Sequence, residues 1–591
     1  MKPMALFTPS QSPAVVVKEI DTTGGVPNVQ TSTGAIVGNY RWGPVGQRVL
    51  ISNEADLIDT FSTPDTTSTI DFHNASYFLR YSNSLHVVRQ ATSAAKNSHS
   101  TTYKAAGRGP GAVGYAVQAI NNKAAFDANT SLDSDGHTFV ARFPGDLGNS
   151  LRVSLCPSNS TAFNAWDYKS AFDAAPASST LDSAAGGTGT EMHVAVIDKN
   201  GEFSGTKGTV LESYPFVSAA TNSLGADGVT NYAKNVINER SEYIYMVNFD
   251  SDWTVNNAGT AMSSGSQKTY VSGLTTSVHY DFDSGANSAA LGTSEIASGH
   301  DLFEDVETVE LDFLIAPGMS SRADQTTVTN DLTANAIARK DCVVVSSPAR
   351  SDVVGQLNET TITTAVAATA ATFTKSSYLV ADGNYIKVYD KFNDQYIEIP
   401  AASSVAGLMA ETDRVAAPWF SPAGTRRGQL LGVTAINYNP NKTNRDTLYK
   451  AGINPIVNMS GSGVVLFGDK TLYNRPSAFD RINTRRLFLT LERAISQAAK
   501  NVMFEFNDEF TRAEFVNVIE PVLRDVKARR GITDFRIIAD ETVNTAAVID
   551  RNEFIANIYI KPARSINYVT LNFVAVRTGV DFTEVVGTAG V

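Results

Sequence analysis

Short bursts of alternating or clustered apolar residues make up the first two thirds of this chain, and only the last third sustains a helical period. Near the start, AVVVKEI (14–20) sets Val15 and Val17 against Val16 and Lys18 with period two and closes on Ile20, the pattern of a strand. GAIVGNYRWGPVGQRVLI (34–51) and YFLRYSNSLHVVRQ (77–90) predict short strands joined by Gly and Pro turns, with one helix before Leu85. From about 91 to about 300 the chain turns to Ser, Thr, Ala, Asn and Gly, broken by HTFVARFP (137–144), LRVSL (151–155) and MHVAVID (192–198), which predicts inserted loop-rich β domains. LDFLIAPG (311–318), the mixed stretch 324–340 and CVVVSS (342–347) then predict strand, helix, strand: a buried parallel pair with a crossover helix.

The last third carries the clearest helices. SAFDRINTRRLFLTLERAISQAAKN opens with Ser477 three residues before Asp480, a capping-box pattern, and sets Phe488, Leu491, Ile495 and Ala498 at helical spacing. DEFTRAEFVNVIEPVLRDVKARRG sets Phe515, Val518, Ile519, Val522, Leu523 and Val526 on one stripe and stops at Arg529, Arg530 and Gly531. Pro521 inside that stripe predicts a kink near Val518 or a break. Two strands are expected beyond it, FRIIAD (535–540) and, after NIYIKP, INYVTLNFVAVR (566–577).

The fold class expected from these elements is α+β and multidomain. An α/β core, a mixed sheet with helices, is built from N-terminal and C-terminal parts of the chain, with inserted mainly-β outer domains and extended terminal strand arms. The expected divisions are a strand arm at 1–24, an N-terminal part of the core at 25–90, an inserted loop-rich β domain at 91–190, and a second mainly-β insert at 191–305. A βαβ core part follows at 306–415, then a C-terminal α/β domain at 416–565 and a second strand arm at 566–591. At 591 residues the length suits about four domains.

Charge narrows the function. Forty-eight Lys plus Arg against 60 Asp plus Glu leave −12, which argues against nucleic acid as the main partner. Cys156 and Cys342 stand far apart, so neither a disulfide framework nor a metal pair is expected and the folding compartment reads as reducing. MKPMALFTPSQSP is too short in its apolar patch for a signal-peptide core, and no run is long enough to cross a membrane, so a soluble, cytoplasmically made protein is expected, with no membrane insertion.

Catalytic chemistry finds little support. The seven histidines (His73, His86, His99, His137, His193, His279 and His300) show no metal spacing, and none follows residue 300, where the chain is best organised. GPGAVG (109–114) matches GxGxxG without a preceding strand, and SLDSDG (131–136) imitates a calcium loop with Arg142 where the bidentate Glu belongs. Ala316, Pro317 and Gly318 offer the βαβ turn no phosphate cradle. No catalytic residue, cofactor or metal is expected, and the protein is read as not an enzyme. Arg481, Arg485, Arg486 and Arg493 predict a basic helix face.

The terminal strands are more telling. Val569, Leu571 and Phe573 alternate with Thr570 and Asn572 near one end, as Val15 and Val17 do near the other. Such strands either pair within their own domain or complete a neighbour's sheet, and the second reading makes a polymer subunit.

Several segments, in order and together, resemble the contractile tail sheath protein of T4-like (myovirus-type) bacteriophages. They are SPAVVVKEID (12–21), VPNVQTSTGAIVGNYRWGPVGQRVLI (26–51), FPGDLGNSLRVSL (143–155), HVAVIDKNGEFSGTKGTVLESYPFVS (193–218), DFLIAPG (312–318), RKDCVVVSSP (339–348), APWFSPAGTRRGQLLGV (417–433), INPIVNMSGSGVVLFGDKTL (453–472) and RPSAFDRINTRRLFLTLERAI (475–495). Ala14 departs from the Gly often found in an SPG-type start, and the Ser/Thr-rich segments 91–130 and 156–190, which carry no segment of the resemblance, are expected to be surface-domain elaborations. The resemblance implies a virion protein of the phage tail, assembled in the host cytoplasm. It would polymerise with itself as stacked hexameric rings around the tail tube protein, and contract irreversibly to drive the tube through the host envelope. It further implies baseplate and tail terminator partners and arms that exchange strands between subunits, here Val15, Val17, Ile20, Val569, Leu571, Phe573 and Val576. Arg481, Arg485 and Arg493 are the expected contact with the tube or a neighbouring subunit. Another structural component of an injection machine or virion, a tube or shell protein, is the alternative.

Overall fold

The computed structural model describes residues 32–100, 119–129, 138–177, 180–249, 257–263, 268–271 and 274–565. They fall into two compact units, a larger one within Pro27–Ser496 and a smaller one containing the described residues from Gln497 onward.

The larger unit is built on a seven-stranded sheet of short, almost wholly apolar strands: β1 (Gly34–Gly38), β2 (Arg48–Ile51), β3 (Leu85–Arg89), β4 (Phe313–Ile315), β5 (Val343–Ser346), β6 (Leu379–Asp382) and β7 (Ile453–Asn454). The spatial order is β7-β6-β5-β4-β1-β3-β2, parallel throughout except for β2 against β3. Alternate side chains of a strand leave on opposite faces, so Ile36, Phe313, Ile315, Val345 and Val380 enter one core while Val37, Leu314, Val344 and Leu379 enter another. Helices α1 (Thr69–Leu79) and α4 (Ala402–Val415) cover the first face, and α2 (Arg322–Arg339) and α3 (Glu359–Thr372) the second. Covering both faces is what makes these strands read as continuous apolar runs. The expected strand, helix, strand is β4, α2, β5, with Phe313, Leu314 and Ile315 level with Val343, Val344 and Val345. Ser321 caps α2 by accepting from the Asp324 amide, and Lys340 ends it in the left-handed region.

A second seven-stranded sheet, all antiparallel, is inserted between β3 and β4. Its order is Ile244–Met246, Phe139–Ala141, His99–Ser100, Val278–Asp283, Leu151–Cys156, Glu191–Asp198 and Thr209–Ser218. Leu151–Cys156 pairs along its whole length with Glu191–Asp198, so the expected division at 190/191 does not separate two domains. Both segments contribute to one sheet, because the apolar faces of their strands pack into one core around Val153, Met192, Val194 and Tyr280. Where β3 ends, the buried Arg89 donates to the carbonyls of Gly43 (2.7 Å) and Pro144 (2.6 Å), tying a turn of the core to the insert.

At the end of β6 the buried Asp382 carboxylate accepts from Ser347 Oγ (2.7 Å) and the Asn384 amide (3.1 Å), and Ser347 Oγ accepts from the Ala402 amide at the start of α4 (2.9 Å). Burial pushes its pKa up to about 7. The folded chain therefore keeps a proton there that the unfolded chain has released, so this group's stabilising contribution is full below the usual carboxylate range and declines as pH climbs towards 7. At about 1.4 kcal/mol per pH unit the decline reaches a few kcal/mol. Asp382→Asn removes it: the variant's melting temperature is expected to change less than the wild type's between about pH 5 and about pH 8. Equal changes in both proteins would show the carboxylate ionised across that range.

In the smaller unit, α6 (Glu509–Ala528) buries Phe515, Ile519, Leu523 and Val526, and its first strand neighbour, Ile532–Ile538, pairs antiparallel with Asn557–Pro562. Three expectations are corrected here. The helix continues through Pro521 without a break, and Val518 is exposed rather than part of the buried stripe. The FRIIAD strand begins at Ile532, and its partner is NIYIKP itself; residues 566–577 lie outside the described residues. Ser477 caps not the long helix but a separate 3-10 turn, Ala478–Asp480, by accepting from the Phe479 amide, and α5 (Ile482–Lys500) starts two residues later.

Candidate functional site

The expected strand-arm residues Val15, Val17, Ile20, Val569, Leu571, Phe573 and Val576 lie outside the described residues, as do GPGAVG (109–114) and SLDSDG (131–136). In the smaller unit the sheet of Ile532–Ile538 and Asn557–Pro562 has no third strand among the described residues. Ile537, Ile538, Ile558 and Ile560 are only half-buried on it.

The arginines of α5 and the residue before it are described in full, and they do not form a solvated basic face. Each guanidinium is engaged within the chain. Arg481 reaches Asp469 (2.8 Å) and Tyr449 Oη (2.6 Å). Arg485 is buried between the rings of Tyr378 and Phe479, 4.3 and 4.2 Å from their centroids, and donates to Ser377 Oγ (2.6 Å). Arg486 forms a two-pronged pair with Asp413 in α4, donates to the Met409 carbonyl (2.9 Å) and lies over Phe313 of β4. Arg493 donates to the Asp312 carboxylate (2.8 Å) and to the carbonyls of Leu311 (2.6 Å) and Asp341 (3.1 Å).

Arg486 and Arg493 clamp α5 to the edge where β4 and β5 begin, and Arg481 and Arg485 fix its start to Asp469 and Ser377. The other Asp312 oxygen accepts from the Thr33 amide (2.9 Å), so one carboxylate joins the entry to β1, the entry to β4 and α5. Burial pushes the Asp312 pKa up to about 6, and the Arg493 guanidinium beside it works in the opposite direction. Arg339 adds a second lock at this edge through Asp341 (2.7 Å) and the Val309 carbonyl (2.8 Å). Such an arrangement does no bond chemistry. It fixes the orientation of a long helix with directional, charge-assisted bonds.

Helical spacing alone groups the arginines on one face and omits their partners Asp312 and Asp413. Two signals point the other way: Asp312 directly precedes the apolar run FLI, and Leu487, Leu489 and Leu491 surround Arg486 with buried neighbours. His193 and His300 sit inside the packed interior. His193 stacks on Phe172 at 4.5 Å, accepts from the Phe216 amide and donates to the Ala174 carbonyl, and His300 bonds the Ile296 carbonyl inside a helix. Among the described residues no His, Cys, Asp or Glu cluster converges as a metal site, and no helix is long and apolar enough to cross a membrane.

Residues 292–472, from the helix before β4 to the segment after β7, match the phage tail sheath protein central domain, and residues 474–575 match the phage tail sheath C-terminal domain. The tail sheath protein of Vibrio phage KVP40 is 31% identical over 98% of this chain and 99% of its own length. That of Enterobacteria phage T4 is also 31% identical, over 98% of this chain and 99% of its own length. A crystal structure of a sheath tail protein from Listeria innocua shares the fold, with a TM-score of 0.53 over 91% of this chain and 93% of that chain at 11% identity. Matches of this extent, falling on the central sheet and the clamped helix in chain order, mean that the chain belongs to the phage tail sheath family.

Proposed function

We propose that this chain polymerises as stacked hexameric rings around the phage tail tube, its subunits linked by exchanged strands, and that the assembled sheath contracts irreversibly to drive the tube through the host envelope. The observation that carries the reading is the two-stranded sheet of the smaller unit. Packing on α6 supports one side of this ribbon, and a sheet of only two strands still has main-chain edges on which a further strand can pair. Among the described residues this ribbon has unpaired main-chain edges and half-buried isoleucines, while the chain carries two further segments with strand alternation, 14–20 and 566–577. In this reading 1–24 and 566–591 are arms that pair with neighbouring subunits. Main-chain pairing then links subunits without a rigid side-chain lock, so they can rotate and re-pack while remaining connected. The tail tube, baseplate and tail terminator are the partners that such a sheath requires.

Negative-stain microscopy of the full-length chain across salt and protein concentration tests this. Hollow tubes with six-fold end views are expected. Chains lacking 1–20 or 566–591 are expected to remain folded and to build no tubes, and truncated chains that still build long tubes would refute strand exchange as the link.

A further inference from the structure

Strands Glu191–Asp198 and Thr209–Ser218 of the inserted sheet lose register beside His193. Val194 stands opposite Tyr214 and Met192 opposite Val217, so one residue, His193, faces two, Pro215 and Phe216. That is a β-bulge, which takes a residue's main chain out of the ladder. Phe216 also has φ +54°, a left-handed conformation that strains a bulky residue. Side chains take both of its backbone groups: the amide donates to His193 Nδ1 (3.0 Å), and the carbonyl accepts from Asn231 Nδ2 (2.7 Å).

The His193 ring is buried, stacked 4.5 Å from Phe172 and edge-on to Phe216 at 4.7 Å. Because Nδ1 accepts from an amide, the ring hydrogen is on Nε2, which donates to the Ala174 carbonyl (2.7 Å). A second proton can go only onto Nδ1, where it would point at the Phe216 N–H. The neutral imidazole therefore holds the bulge, and the imidazolium cannot. Burial pulls the ring's pKa below its usual value, while hydrogen bonds to the backbone of Ala174 and Met192 work in the opposite direction. Of the groups packed around it, Cys156 stands opposite in the next strand with its thiol pushed up by burial to about 12. Asp167, Lys169 and Asp173 of the covering segment are exposed, and Tyr168 there packs on His279. On the bulged strand Glu212 is held by Tyr214 and Ser241.

Asn231 carries the effect to the surface. Its amide donates to the Ser223 carbonyl (3.0 Å) and its carbonyl accepts from the Ser218 amide (2.8 Å), which closes the hairpin 223–231 with Leu224 and Val229 exposed. Bulge and hairpin together line a cleft of about 500 Å³, with Pro215 and Val217 on the strand and Asp227 and Val229 on the hairpin.

We infer that His193 is the sensor of an acid-operated latch: its second proton displaces the Phe216 amide, the strained bulge relaxes, and the hairpin 223–231 loses its anchor through Asn231. The latch is closed in the neutral range. Folding lowers the ring's affinity for the proton, so the unfolded chain takes it up first; the latch's contribution to stability is full above about pH 6.5 and declines as the pH falls below it. Acid thus loosens one corner of the insert, in the opposite sense to Asp382, which burial keeps protonated in the core.

Hydrogen exchange of the full-length protein, with rates divided by those of the unfolded chain at each pH, tests the latch. Protection across 213–231 is expected to fall about tenfold between about pH 7 and about pH 5. His193→Gln can accept and donate the same two bonds without titrating, so its protection is expected to stay level. Asn231→Ala keeps the histidine and cuts the relay, so its hairpin is expected to be weakly protected at both pH values. A wild type equally protected at both overturns the latch. Equal losses in the wild type and His193→Gln assign the effect to another group and overturn His193 as the sensor. A hairpin in Asn231→Ala that still loosens about tenfold in acid overturns the route through Asn231.

Discussion

Asp413→Ala is expected to cost the folded chain about 3–5 kcal/mol, read as a shift of the urea transition to lower concentration at unchanged slope. The cost does not come from losing an attraction alone. Arg486 and Asp413 side chains are each only 6% exposed, so the truncation leaves a buried guanidinium without its carboxylate, still over Phe313 and bonded to the Met409 carbonyl. A buried ion pair often adds little beyond a well-packed apolar pair, whereas breaking one from a single side leaves an uncompensated charge. The double variant Asp413→Leu/Arg486→Met is therefore expected to recover most of the loss. If the double variant is as unstable as Asp413→Ala, packing volume rather than stranded charge governs this contact. The pair holds α5 to α4 across β4, so the variant should also unfold the core and the start of α5 in one step.

Gly407→Val is expected to lose about 3 kcal/mol, the upper end for overpacking a core. Glycine inside a helix costs about 1 kcal/mol relative to alanine, yet Gly407 sits in the middle of α4. The reason is a close approach: a Cβ there would lie 2.3 Å from Tyr81 Cδ2 and 2.8 Å from its Cγ. The ring is not free to yield, because Tyr81 Oη accepts from the Leu431 amide at 2.7 Å. Burial pushes that phenol up to about 12, so it stays protonated through the neutral range. Gly407→Ala should lose less, since better helix propensity offsets part of the clash. An alanine variant more stable than the wild type would show that Tyr81 moves aside and that no close approach is being protected.

Local pattern made the central sheet legible. Strands buried on both faces read as apolar runs, and FLI and VVVS bracket a polar-apolar helix whose ends carry their own capping signals. The ribbon in the smaller unit was half legible. FRIIAD read as a strand, while NIYIKP, with its closing proline and exposed Tyr559 and Lys561, read as a connection. The inserts were legible as β but not as one sheet, because joining Leu151–Cys156 to Glu191–Asp198 crosses a Ser- and Ala-rich stretch with no pairing signal of its own. The arginines failed for a related reason. Asp413 lies 73 residues from Arg486 and Asp312 lies 181 from Arg493, and helical spacing carries no information about partners at that distance. A basic stripe on a solvated helix and a row of inward-facing clamps look alike until the acids are placed.

The position of the insert bears on how such proteins diversify. The core pairings that bracket it, β1 with β3 and β1 with β4, are complete without any residue between 90 and 312. The intervening sheet can therefore be exchanged for another module without altering core register. Contacts at the junction limit the exchange. Arg89 is buried where the chain leaves the core and relies on the Pro144 carbonyl of the insert for one of its bonds. A replacement module that brings no acceptor to that point leaves a desolvated cation short of a bond at the graft. It must also receive Trp42, which packs on Phe143 and Phe203, and Arg41, which pairs with Asp146 and Glu202. New outer surfaces are therefore constrained at their root rather than at their rim.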